Sequence, residues 1–230
     1  MGADIKNLRT RIKSVKSTLH LTKAMGLVAS SKIRKAQLAR TRALEYSNSV
    51  GSIIDVLSSS SECKKSPYMN EGKSKTDKII VIAGDRGLAG GYNANVFRFV
   101  RELDAELDAI GKKSCERFSK QIVSSEHFSY ADAYNMALEL CEEFKAGRLK
   151  RVGIVSTRYI SLISQEPMLT WILPLENKGD ASASAIFEPD EMTMLERAVP
   201  TYVAGAIYSA VKESFACEVV ARRSAMDNAS

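Results

Sequence analysis

Residues 5–36 read IKNLRTRIKSVKSTLHLTKAMGLVASSKIRKA, and one periodicity within that stretch decides the fold. Ile5, Leu8, Ile12, Val15, Leu19, Thr22, Gly26, Ala29, Ile33 and Ala36 are separated alternately by three and four residues. This is the heptad spacing of a helix that packs along a second helix. The register continues through Arg40, Ala43, Ser47, Val50, Ile54 and Leu57, with Arg40 its main break and no proline before Pro67. One helix over residues 1–57 is therefore expected, roughly 80 Å long at about 1.5 Å per residue. A domain of this size does not need such a helix for its own core, so the helix must pair for much of its length. The small residues in mid-seam, Gly26, Ala29, Ala36, Ala43 and Ser47, call for a partner that approaches closely.

The partner lies at the other end of the chain. Between Pro200 and the terminus, Ile207, Ala210, Ser214, Cys217, Ala221 and Ser224 again step by three and four, beside a bulkier row of Val211, Phe215 and Val219. A helix starting near Thr201 and packing antiparallel to the first is expected. It would turn back near Leu57 and place Ser230 opposite residue 30. Between the helices, residues 58–78 are polar and serine-rich, with Pro67 and Gly72, and read as a linker. The continuous apolar run from Ile79 to Ala83 reads as a strand buried on both faces. A glycine-rich loop follows, then a helical pattern through Val96, Phe97, Val100 and Leu103. Leu107 to Ile110, Val152 to Val155 and Leu169 to Leu173 read as further strands, and Ile186-Phe187 as a short edge. From Tyr130 to Ala146, the residues Ala133, Met136, Ala137, Leu140, Cys141 and Phe144 share one helical face. The fold class is α/β: a long antiparallel two-helix coiled coil, with an α/β layer domain inserted between its helices. The boundaries are a shaft helix over 1–60, a linker over 61–77, the inserted domain over 78–198 and a return helix over 199–230.

The net charge of +6 conceals an asymmetry. Residues 1–42 carry Lys6, Arg9, Arg11, Lys13, Lys16, Lys23, Lys32, Arg34, Lys35, Arg40 and Arg42 against Asp4 alone, so the rest of the chain is acidic on balance. A basic helix on a mildly acidic body implies a polyanionic partner for the helix. No apolar run approaches the roughly 18 residues that span a bilayer, and no secretory signal follows Met1. Cys63, Cys115, Cys141 and Cys217 are widely separated, and neither His20 nor His127 has a neighbour at ligand spacing, so reduced thiols and no metal are expected.

Two functional classes compete with a mechanical one. A dinucleotide-binding enzyme would need residues 84–93 to cradle pyrophosphate, but Gly84, Gly87, Gly90 and Gly91 fit neither a dinucleotide fingerprint nor a P-loop. A tight turn requiring glycine geometry is the better reading, and titration with NAD or ATP discriminates the two. A nucleic-acid module would use the basic helix, with a steep salt dependence. Against it, only His20 and Tyr46 carry rings in that helix, and the charges share it with an unbroken seam. No nucleophile elbow, carboxylate pair or histidine base stands in a recognisable motif.

Three stretches resemble the γ subunits of F-type ATP synthases. The first is Ile12-Lys13-Ser14-Val15 with residues 21–37, LTKAMGLVASSKIRKAQ; the second is residues 85–93, DRGLAGGYN; the third is residues 225–229, AMDNA. Their order and separation cover nearly the whole chain. The resemblance implies a rotating central stalk: a coiled-coil shaft within a ring of α and β subunits, and a Rossmann-like domain that packs with ε (δ in mitochondria) on the membrane c ring. Ion flow turns the c ring and shaft together, and catalysis belongs to other subunits. It further implies no cofactor of its own and no nucleic acid. A peripheral place on the cytoplasmic side of a cell membrane, reached through partners, is expected. Met25, Lys32, Arg34, Lys35, Arg222, Arg223 and Met226 become candidates for contact between rotor and stator, since the facing β segments are acidic in the family. Asp85, Arg86, Gly87, Gly90, Gly91 and Asn93 become the central-domain loop. The family's return helix runs several tens of residues past the third stretch, so a shortened return helix is expected.

Overall fold

The heptad seam becomes one helix, α1 (Gly2–Ser59), of 58 residues, in a computed structural model that describes residues 2–161, 164–176 and 187–230. Then follow β1 (Asp77–Ile82), α2 (Tyr92–Val100), β2 (Glu106–Ile110), α3 (Lys112–Arg117), α4 (Tyr130–Lys145), β3 (Arg151–Tyr159) and β4 (Gln165–Leu173). The return helix is α5 (Glu191–Asn228), 38 residues long. The sheet order is β2-β1-β3-β4, with the first three parallel and β4 antiparallel to β3.

α1 and α5 pack antiparallel along the expected seam. Thr22, Gly26, Ala29, Ala36, Ala43, Ile54 and Leu57 are buried, and the flanking positions mostly face solvent. The helices come close where the sequence has small residues: a Cβ built on Gly205 would lie 3.7 Å from Ser47 Cα. Arg40 does not break the seam. Its guanidinium donates to Glu213 Oε1 of α5 at 2.8 and 3.0 Å and lies 5.1 Å from the Tyr159 ring centroid.

The return helix starts earlier than expected. Asp190 caps it, accepting from the Thr193 amide at 2.8 Å, so the helix runs from Glu191 with Pro200 inside it rather than at its start. Proline there withholds one backbone hydrogen bond, while Leu195, Val199, Val203 and Ile207 on that helix are fully buried. Apolar burial of about 1.5–3 kcal/mol per large side chain outweighs the loss. The earlier start shifts the pairing register. The Ser230 hydroxyl donates to Thr22 Oγ1 at 2.8 Å, so the terminus lies against Thr22 and not residue 30. Beyond Leu19, which is half-buried, the seam is bare: Ile5, Leu8, Ile12 and Val15 are between 47% and 61% exposed.

The run at β1 is continuous because both faces of the sheet are covered. Ile80 and Ile82 pack with α4, α5 and the end of α1, while Ile79 and Val81 pack with Val96 and Val100 of α2. The expected linker is also part of the core. Cys63, Ser66 and Tyr68 are buried in two short 3-10 turns, and Tyr68 stacks on Phe144 with ring centroids 6.2 Å apart. Its polar composition concealed these anchors. α3 was not legible in the sequence, being six residues long. Of the short edge expected at Ile186-Phe187, Ile186 lies outside the described residues and Phe187 is not in a strand.

Candidate functional site: the loop between shaft and sheet

The central-domain loop leaves the C-terminal end of β1 and meets α5 at a buried carboxylate. Glu218 is 1% exposed, pairs with Arg222 one turn on, and accepts weakly from the Asp85 and Arg86 amides, both at 3.4 Å. The approach requires Gly84, because a Cβ there would lie 2.7 Å from Glu218 Cδ. Asn93, in the first turn of α2, closes the loop: its Oδ1 accepts from the Gly84 amide at 2.9 Å and its Nδ2 donates to the Arg86 carbonyl at 3.2 Å. Gly90 and Leu88 both have φ of 58°, the left-handed region. Glycine adopts it freely, but Leu88 does so at a cost, with its side chain exposed.

Asp85 ties the loop to the next layer. It accepts from the Ser124 hydroxyl at 2.6 Å and from the amides of Ser125, Glu126 and Lys112 at 2.9 to 3.0 Å. Burial pushes its pKa up, but these four donors more than offset that and hold the carboxyl below its ordinary value. Two of the loop's amides, those of Asp85 and Arg86, are thus committed to a carboxylate of the chain itself, and the Gly84 amide to Asn93. Where a nucleotide site directs backbone N–H groups at phosphate, those of Asp85 and Arg86 face Glu218, a charge that repels phosphate.

The expected contact residues separate into two groups. Lys32 pairs with Glu126 at 2.5 Å, and Arg86 approaches the same carboxylate at 3.7 Å. Burial raises the Glu126 pKa, but Lys32 and Arg86 together bring it below the ordinary value. Arg222 is held by Glu218; Arg223 bonds Asp227 and Ser30, each at 2.7 Å. Met226 is buried against Gly26. These four serve the chain's own packing, which spacing alone could not show. Arg34 and Lys35 are exposed and make no ion pair among the described residues, and Met25 is half-buried. Met25, Lys32, Arg86, Gly87, Glu218 and Arg222 line one cavity of about 400 Å³ between shaft and loop.

Glu126 and Glu218 are the site residues that the sequence reading missed. Glu218 left a trace: an acid inside the apolar row from Phe215 to Val220, with an arginine four residues on. Glu126 left none, because its partner is 94 residues away. Among the described residues no cluster of three or more acids, cysteines or histidines could hold a metal. All four cysteines are free and buried, and burial raises the pKa of each thiol.

The comparisons agree with this geometry. The family model described as ATP synthase matches residues 4–230. The ATP synthase gamma chain of Ruminococcus albus is 36% identical, covering 99% of this chain and 86% of that one. The gamma chain of Pelotomaculum thermopropionicum is also 36% identical, over 98% of this chain. Among solved structures, a chain of the central stalk and c ring of the Tetrahymena thermophila mitochondrial ATP synthase superposes with a TM-score of 0.70. It has 25% identity and covers 91% of this chain and 99% of that one. A rotor chain of the Euglena gracilis mitochondrial ATP synthase, 18% identical with a TM-score of 0.63, shares the fold. A two-helix shaft, a loop braced by Asp85, Asn93 and Glu218 and near full-length likeness to gamma chains lead to one conclusion: this chain belongs to the ATP synthase gamma-chain family, the central stalk subunit of F-type ATP synthases.

Proposed function

We propose that this chain is a non-catalytic rotor that transmits torque between an ion-driven c ring and the catalytic β subunits. The observation that carries this reading is the division of α1 into two mechanical parts. Residues 22–57 are clamped against α5 and the sheet, and residues 4–21 project beyond it with an apolar, basic surface. The lysines and arginines of that projecting stretch fit an acidic surface outside the chain. The proposed surface is the ring of α and β subunits. The α/β domain is the foot that packs with ε, or with its mitochondrial counterpart δ, on the c ring. Membrane association is then indirect and peripheral, on the cytoplasmic side of a cell membrane in the bacterial arrangement. No helix among the described residues is long and apolar enough to cross a membrane.

The proposed stator contacts are Met25, Arg34 and Lys35 on α1, with Arg86 and Gly87 at the loop. Lys32, Arg222, Arg223 and Met226 stiffen the junction from within. Titration of the purified chain with ATP, ADP and NAD, together with its co-assembly with α and β, tests the reading. Assembly without nucleotide binding to the isolated chain is expected. Saturable, stoichiometric nucleotide binding at residues 84–93 would replace it with an enzymatic one.

A further inference from the structure

On the far side of the sheet from the α4 layer, Phe97 and Arg98 of α2 each stand three to four residues before Arg101, the residue that caps that helix, and so lie near it. Arg117, at the end of α3, lines the same groove, with Leu107 and Phe118. Together they line a groove of about 560 Å³ beside β2, an edge strand among the described residues. Phe97 and Phe118 meet edge to face, 6.0 Å apart, and both are only half-buried.

Several cations of the domain are paired: Lys78 with Glu106, Asp108 and Glu143, Arg151 with Asp77 and Glu71, Lys145 with Glu196, and Lys120 with Asp108. Arg98, Arg101 and Arg117 are all exposed, yet none makes an ion pair or hydrogen bond among the described residues, and no acid lines the groove. Three guanidinium groups rimming an aromatic and aliphatic floor make a fork-donor surface with an apolar base. A carboxylate-bearing segment satisfies the forks bidentately while its apolar side chains cover the floor.

We propose that this groove is a docking surface for an acidic, amphipathic segment of a partner protein, one that alternates glutamate or aspartate with leucine or phenylalanine. The surface lies on the α/β domain, away from the loop and shaft that carry the proposed stator contacts, and it does not rest on those contacts. Charge complementarity selects the partner: an uncharged apolar strand would leave the arginines idle, and a polyanion without apolar groups would leave the floor wet.

The test uses the full chain with Glu102→Cys, a surface position two residues past α2, carrying an environment-sensitive fluorophore. The native thiols are buried, so labelling is selective. The probes are a peptide of alternating glutamate and leucine or phenylalanine, polyglutamate of equal length, and vesicles containing an anionic phospholipid. Expected is a saturable response to the amphipathic peptide. It should weaken at least tenfold in the Arg98→Glu/Arg101→Glu/Arg117→Glu variant and stay within about threefold in the matching triple lysine variant. Circular dichroism of each variant verifies the fold. The basic α1 helix supplies a background for any polyanion, and that background persists in the reversal variant. A response that reversal leaves unchanged, a peptide that does not saturate, or polyglutamate or vesicles binding as tightly as the peptide would each overturn the proposal. So would a concentration-dependent dimer that the reversal abolishes, since the groove would then belong to a second copy of this chain.

Discussion

Asp85 shows how one side chain ties the loop after β1 to the start of α3 and to residues 124–126, and its titration gives a signed prediction. Its carboxyl is held below the ordinary value in the folded chain. Its stabilisation is therefore full above the unfolded carboxylate pKa near 4 and disappears as pH falls through the lower folded value. Asp85→Asn should cost about 1.5–3 kcal/mol near neutrality, as expected for hydrogen bonds to a charged group. Denaturant unfolding as a function of pH should show the two proteins converging on acidification below about pH 4. A gap that persists in acid would mean that the charge is not what matters. Gly84 gives a second test. Gly84→Ala drives a methyl against Glu218 and should cost about 1–3 kcal/mol. In a double-mutant cycle with Glu218→Ala most of that cost should vanish, whereas additive costs would mean that the strain lies in the backbone. The sequence marked Asp85, Gly84 and Asn93 through the loop motif. Glu218 left only a trace, because its bonds to the Asp85 and Arg86 amides arise through the fold, and spacing does not report them.

At the scale of elements, the seam of α1 was legible residue by residue because a heptad is a local signal that burial enforces. The pairing register was not. It depends on where α5 begins, and Pro200 reads as a boundary when helix propensity alone is considered. The Asp190 cap and the buried row from Leu195 to Val203 carry the helix through it. The corrected register sharpens a prediction about dynamics. Residues 5–15 have no helix against their seam, and an isolated helix of that length is marginal in water. Amide exchange on the purified 230-residue chain should show little protection there and strong protection over residues 36–57. Equal protection of the two stretches would contradict the register.

For the whole molecule, the cations of α1 divide into those that hold the junction and those that face outward. Lys32→Glu should lower the stability of the isolated chain by about 0.2–1 kcal/mol, the range for a partly exposed pair. Arg34→Glu with Lys35→Glu should leave thermal unfolding unchanged and weaken ATP-driven ion pumping by the reconstituted complex. Unaltered pumping would remove these two residues from the stator contacts. The α/β class, the two-helix shaft and the inserted domain were legible, because each rests on periodicity or on the length of apolar runs. The allocation of charges was not, because Glu126 reaches Lys32 only after the sheet domain has folded back on the shaft. The central claim is that the chain turns and conveys torque while catalysing nothing, and watching it turn is the most direct test. A bead attached through Glu139→Cys on the exposed face of α4 reports the chain's orientation within an immobilised α and β assembly. The account predicts unidirectional rotation that starts with ATP and stops without it. A bead that stays still while the assembly hydrolyses ATP at its full rate would contradict it.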